Sequence, residues 1–192
     1  MLKDIFNKYN IILGSSSKRR KELLHQIGFN FKIIRTNKKE IYPYNLKSEN
    51  IAIFLAKQKS SFLLDKLEKN NLLITADTTV ILNDEILHKP TSNYEALNML
   101  LKLSNKKHKV ITGVCISTIK KVISFSTMTE VKFKKLKKKE LEDYILEYKP
   151  LDKSGGYGIQ DPIGKNAEIK GSYSNVVGLP LSDLYDKLKQ FK

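Results

Sequence analysis

Long apolar runs are missing from this chain, as are paired cysteines, arginine in any quantity and stretches of low complexity. Crossing a membrane takes roughly 20 consecutive apolar residues, and no such run occurs. The opening MLKDIFNKYNIILG carries Asp4 and only a short apolar run, so it reads as neither a signal peptide nor an anchor. A single cysteine, Cys115, excludes an internal disulfide. Within VITGVCIST it reads as a small buried hydrophobe rather than a reactive thiol. A reducing, cytoplasmic setting is the expectation.

What is abundant is lysine. Lys and Arg total 35 against 20 Asp and Glu, a formal net charge of +15. Such charge invites a nucleic-acid reading, because neutralising phosphates is the main source of sequence-independent affinity. Yet the only arginines are Arg19, Arg20 and Arg35, and Asn and Ile are also frequent, which is a compositional skew rather than a designed surface. The densest cluster, KFKKLKKKE at 132–140, has no interleaved tyrosine on which bases could stack. A solvated charged face is the expectation there, nucleic acid is not an expected partner, and acidic small molecules suit so positive a protein.

At 192 residues the chain can bury one sizeable core, and a single domain over 1–192 is expected. Apolar runs alternate with helical patterns, which argues α/β. A short buried strand at 11–13 is followed by the turn GSSS at 14–17 and a helix from Lys18 to Ile27, stopped by Gly28. A strand FKIIR is expected at 31–35, then a long helix through SENIAIFLAKQKSSFLLDKL with Ser48 as N-cap. The segment LLITADTTVILNDEIL reads as one strand into Ala76 and another from Val80 to Leu82, turning at Asn83 and Asp84. From Ser92 a helix places Ala96, Met99, Leu100 and Leu103 on one face. HKVITGVCIST and KKVISFSTMTEVKF read as two strands joined near Ile119 to Lys121, with helices at 137–147 and 180–191 and a Gly-rich functional loop, PLDKSGGYGIQDPIG, between them.

Three polar clusters are expected at strand ends, where α/β proteins open ligand crevices. In GSSSKRRKELL a small-residue turn entering a helix presents backbone N–H groups, the hydroxyls of Ser15 and Ser17, and Arg19 and Arg20, donors that suit a polyphosphate. The same pattern describes an ordinary Ser-capped helix with a charged first turn. In ITADTTV, Asp77 interrupts a strand-forming run beside Thr78 and Thr79. A carboxylate there can hold a divalent cation or take a proton from water, or it can cap a turn. The following HKP sets Lys89 in an extended conformation before Pro90. In LDKSGGYGIQ, Lys153 precedes a flexible glycine pair and Gln160 offers an amide that can both donate and accept, as reading a base edge requires. Gly155, Gly156 and Gly158 equally suit a purely structural loop. His25, His88 and His108 show no metal-ligand spacing and receive no catalytic role.

In order and spacing these clusters resemble the Maf family of nucleoside triphosphate pyrophosphatases. LGSSSKRRKELLHQIGF is similar to the family's SxSPRRxELLxxLG element and ITADTTVILNDEILHKP to its ADTxVxxxGxxLxKP element. LSNKKHKVITGV, PLDKSGGYGIQ and KGSYSNVVGLPL resemble three further signatures, so the likeness spans nearly the whole chain. It implies a mixed β-sheet with flanking helices and two lobes around a central nucleotide-binding cleft, of Maf/ITPase-like type. The implied reaction is hydrolysis between the α and β phosphates, releasing pyrophosphate. Asp77 is then the proton acceptor that activates water. Ser15, Ser17, Arg20, Lys59, Lys89 and Lys153 bind substrate phosphates, and Glu40 joins Asp77 in holding Mg²⁺ or Mn²⁺. Arg19, Thr78 and Gln160 are implied to set base choice, a trio that looks like the branch acting on dTTP and UTP. The resemblance also implies a homodimer.

Departures are visible. Lys18 stands where the family has proline, and the loop DPIGKNAEI is short. Lys38 stands where an acid often precedes the family glutamate by two residues, which leaves Glu40 and Asp77 with phosphate oxygens and water as the metal's shell. The alternative from another class is a nucleic-acid-binding or regulatory protein on the same scaffold, with hydrolysis weak or lost.

Overall fold

The computed structural model describes Ile5 and residues 7–191. Among the described residues seven strands form one mixed sheet: β1 (Asn10–Leu13), β2 (Lys32–Ile33), β3 (Asn71–Leu82), β4 (Glu85–Leu87), β5 (Lys107–Ser117), β6 (Val122–Phe133) and β7 (Ala167–Lys170). Their order is β2-β1-β3-β5-β6-β7, with β4 also paired to β3. β1 runs parallel to β2 and β3, whereas β4 is antiparallel to β3 and β7 to β6. The helices are α1 (Lys18–Gln26), α2 (Ser48–Ser61), α3 (Asn93–Leu103), α4 (Lys138–Tyr148), α5 (Tyr173–Val177) and α6 (Leu181–Leu188). A mixed sheet with flanking helices is the expected class. The chain divides into two compact units, Met1–Asp77 with Thr112–Thr127 and Gly178–Lys192, and Thr78–Ile111 with Met128–Val177.

In the first unit β1 is short because only Ile11, Ile12 and Leu13 are apolar, and all three are buried. Ile12, Leu63 and Leu73 form a core cluster against which Ile34 and Leu67 pack. The strand expected at 31–35 is only Lys32–Ile33, because β1 offers it just Ile12 and Leu13 as partners. The long helix is cut short as well. α2 ends at Ser61, and Ser48 is its first residue rather than its cap. Lys47 takes the cap position without a side-chain hydrogen bond, and the Ser48 hydroxyl turns to Glu49 Oε2 at 3.3 Å. α2 lies hard against β5 where Gly113 leaves room. A Cβ on Gly113 would sit 2.3 Å from the backbone nitrogen of Ile53. Cys115 is buried in β5 as expected, and the β5–β6 turn closes with Thr118 N–H donating to Lys121 O at 2.8 Å.

In the second unit the turn between β3 and β4 consists of Asn83 and Asp84, both left-handed at φ 48° and 65°. Asn and Asp tolerate that region best among non-glycine residues, and the right-handed twist of a hairpin demands it. α3 is capped by Ser92, whose hydroxyl accepts from Glu95 N–H at 3.1 Å, while the Glu95 carboxylate accepts from Thr91 N–H at 2.7 Å. Its buried residues are Ala96, Met99, Leu100 and Leu103, the face anticipated from spacing. They pack toward α4, which buries Leu141, Tyr144 and Ile145. β7 and α5 had no counterpart among the expected elements. Among the described residues no helix is long and apolar enough to cross a membrane.

Candidate active site

The largest departure concerns Asp77. Two strands were expected with the acid at a strand end, but β3 is one strand of 12 residues and Asp77 lies in its middle. The β-branched residues Thr78, Thr79 and Val80 carry the extended backbone through the aspartate, so tertiary pairing overrides its poor strand propensity. β1 pairs with β3 only as far as Ile74, and β4 begins pairing at Val80. Asp77 falls between these two ladders, with its side chain 17% exposed.

Around it the first unit gathers a compact charged group. Lys59, one residue before buried Ser60 on α2, brings its ammonium to 2.5 Å from Asp77 Oδ1, 3.1 Å from Glu40 Oε2 and 3.3 Å from the Ala76 carbonyl. One cation thus joins two carboxylates that are 37 residues apart in sequence (77 − 40). Lys38 meets an aromatic ring instead. Its ammonium lies 5.2 Å from the centre of the Phe62 ring, a cation–π contact at the end of α2.

The turn after β1 supplies a second group in the same unit. Gly14 N–H donates to Ile74 O at 2.8 Å, so the turn leaves the sheet alongside β3. Ser17 caps α1 by accepting from Arg20 N–H, and Ser15 Oγ accepts from Ser17 N–H at 3.2 Å and from Arg20 Nη1 at 3.3 Å. Arg20 Nε donates to Gly178 O at 2.8 Å. The Ser-capped helix and the arginine-bearing turn are therefore the same structure. Burial lowers the Arg20 guanidinium from its ordinary value, Asp77 and Glu40 raise it, and Arg19 lowers it. The guanidinium therefore lies within the field of both carboxylates. Arg19 itself is half-buried on the first turn of α1.

The remaining expected residues belong to the second unit. Thr78 is half-buried, and its carbonyl accepts from Ser154 Oγ at 3.2 Å. Lys89 is exposed in an irregular segment, and the carbonyl of its neighbour His88 accepts from Gly155 N–H at 3.1 Å. Ser154 and Gly155 thus tie this loop to β3 and to the residue after β4. Gly155 and Gly156 take φ of 74° and 72°, which only glycine adopts without strain. Lys153 is 15% exposed and bonds Asp152 at 2.8 Å. This cluster follows α4 rather than a strand, contrary to expectation.

Gln160 is exposed at the tip of a turn. Tyr144 Oη donates to Asp161 Oδ2 at 2.7 Å and accepts from Gly158 N–H at 3.0 Å, so one phenol ties both ends of the turn. Burial and the Asp161 hydrogen bond push the Tyr144 hydroxyl far above its ordinary value. His108 Nε2 lies 2.7 Å from Tyr157 Oη, and its ring stacks on Phe133 with centroids 5.6 Å apart. Burial pushes the His108 imidazole down to about 4, so it is neutral at physiological pH. Neither tyrosine carried a signal in isolation, because a helical Tyr and a loop Tyr both read as ordinary core.

The Maf family profile, described as Maf-like protein, matches residues 10–191. A protein of Phocaeicola vulgatus named dTTP/UTP pyrophosphatase is 45% identical over 186 residues, covering 95% of this chain and 96% of that one. One of the same name from Porphyromonas gingivalis is 42% identical over 193 residues, covering 98% of this chain and 97% of its own. Among solved structures, the Staphylococcus aureus Ham1 protein is similar at a TM-score of 0.48 and 16% identity, covering 65% of this chain and 71% of that one. By a profile match over nearly its full length and by relatives of this identity, the chain belongs to the Maf family.

Proposed function

We propose that this protein is a nucleoside triphosphate pyrophosphatase, a hydrolase of acid anhydrides that converts dTTP or UTP to the monophosphate and pyrophosphate. The observation that carries the chemistry is the single ammonium of Lys59 shared by Asp77 and Glu40, beside an arginine turn. The names borne by its relatives supply the substrate class.

In this reading Asp77 is the general base. Lys59 engages Oδ1 and fixes the carboxylate plane, and Oδ2 is assigned to the proton of the attacking water. Ser15, Ser17 and Arg20 hold phosphate oxygens at the N-terminus of α1, where backbone N–H groups add to the attraction. Arg20 is pre-oriented for this by the Gly178 carbonyl. The resemblance further assigns Lys89 and Lys153 to the phosphates and Arg19, Thr78 and Gln160 to the base, within one functional domain over 1–192.

A divalent ion suits the carboxylate oxygens that Lys59 does not engage. Glu40 and Asp77 already converge on one cation, and both offer hard carboxylate oxygens. Those two residues would hold Mg²⁺ or Mn²⁺, with phosphate oxygens and water completing the shell. When bound, the ion supplies charge neutralisation for the triphosphate and acidifies coordinated water. A cytoplasmic homodimer is the form proposed for the protein, checked by sedimentation and fractionation.

The deciding experiment is phosphate release coupled to inorganic pyrophosphatase across a panel of nucleotides with Mg²⁺ and Mn²⁺. Pyrophosphate from dTTP and UTP in preference to purine nucleotides is expected. No release from any nucleotide, together with DNA affinity that falls steeply with salt, would replace this reading with the binding-protein alternative.

A further inference from the structure

Glu40 sits in a segment, 34–47, that contains neither helix nor strand. A carboxylate on such a segment acts reliably only if something holds its backbone. Gln58 does so. Its Oε1 accepts from Ile41 N–H at 3.0 Å and its Nε2 donates to Ile41 O at 2.8 Å. The two bonds close a ring like that between antiparallel strands, and they dictate the amide's orientation, since the flipped amide would set donor against donor. Gln58 precedes Lys59 on α2. Consecutive helical residues point about 100° apart, so one grips the backbone next to Glu40 while the other meets its carboxylate. The cation–π contact of Lys38 with Phe62 tacks the same segment down two residues earlier.

We infer that Gln58 is a positioning residue for the reaction, holding Glu40 beside Lys59 and Asp77 through its clamp on the Ile41 peptide. The inference rests on the proposed role of Glu40 in the acidic site. Gln58 touches no substrate. Its effect on turnover passes through Glu40, because displacing a reacting constellation by about 1 Å costs up to roughly 100-fold in rate.

A double-mutant cycle tests this. Gln58→Met keeps length and packing but removes both hydrogen bonds, and Glu40→Gln removes the charge being positioned. With dTTP as substrate, Gln58→Met should lower kcat about tenfold while changing KM much less. In the Glu40→Gln background the same change should have little further effect, within about twofold. Amide exchange at Ile41 should accelerate in Gln58→Met without nucleotide. Should Gln58→Met fail to fold by thermal melting, Ile41→Pro removes the donor from the other side of the clamp and takes its place. Wild-type kcat in the clamp variant, or an equal loss in both backgrounds, overturns the inference. A wild-type rate in Glu40→Gln alone instead overturns the assignment of Glu40, and the inference falls with it.

Discussion

The ammonium of Lys59 lies 2.5 Å from Oδ1 of Asp77, and the same nitrogen reaches the carbonyl of Ala76, the residue before it. Lysine therefore grips both the side chain and the backbone of the strand at the point proposed for the reaction. Asp77→Asn preserves shape but cannot take a proton. Turnover should fall by about 10²–10⁴-fold while calorimetry still detects nucleotide binding. Unchanged turnover in that variant would remove Asp77 from the mechanism.

Lys59→Met should be damaging for a different reason. It leaves the Glu40 and Asp77 carboxylates facing each other without their common cation. We expect kcat to fall on the order of 100-fold, with recovery by Lys59→Arg incomplete because a planar guanidinium cannot occupy the same point. Steady-state kinetics of the three proteins decides this, and full activity in Lys59→Met would contradict it.

Arg20→Lys retains charge but loses the fork that binds Gly178 O through Nε and Ser15 Oγ through Nη1. The expected signature is a rise in KM of about tenfold, larger than the change in kcat. An unchanged KM would show that Arg20 is a structural brace for the C-terminal segment and not a phosphate ligand.

His108 gives a pH prediction. In the unfolded chain its imidazole takes up a proton near 6.5, whereas the folded chain refuses it until about 4. The depressed value means that the unfolded state binds more protons in this window. Stability is therefore complete above 6.5 and declines as pH falls toward about 4, by about 3 kcal/mol in all. Melting temperatures of wild type and His108→Asn, followed from neutral pH downward, should converge as the solution becomes acidic. Parallel curves would refute the assignment.

Tyr144→Phe cuts the phenol that joins Gly158 and Asp161 across Gln160. Stability should drop by about 1–3 kcal/mol, the range for stranding a buried hydrogen-bonding partner. If Gln160 reads the base, the kcat/KM preference for dTTP and UTP over purine nucleotides should narrow in parallel. A destabilised variant with intact preference would separate the turn's structural role from recognition.

Much of this architecture was written in periodicity. The face of α3 was recoverable residue by residue because Ala96, Met99, Leu100 and Leu103 recur at helical spacing, and its Ser92 cap has a local signature. Asp77 stands out by its chemistry but is misplaced along its strand. Its low strand propensity suggested a break, and only the pairing of β3 with its neighbours removes that break. Ser48 failed as a cap because capping depends on where the chain enters the helix, which a hydroxyl alone does not determine. The Gln58 clamp and the Tyr144 tie were illegible for a deeper reason. Each depends on a partner distant in the chain, and a glutamine or tyrosine on a helix has no pattern that announces it.

Gly113 makes the placement of Lys59 sensitive to a single methyl group. Since a Cβ there would overlap the Ile53 peptide nitrogen, α2 rests at the closest distance β5 permits. Any larger side chain at 113 would lift the helix like a shim, and the lysine head would travel with it. Alanine at this position should therefore detune the acid pair without altering any charged residue, making helix seating an adjustable dial for the proposed reaction.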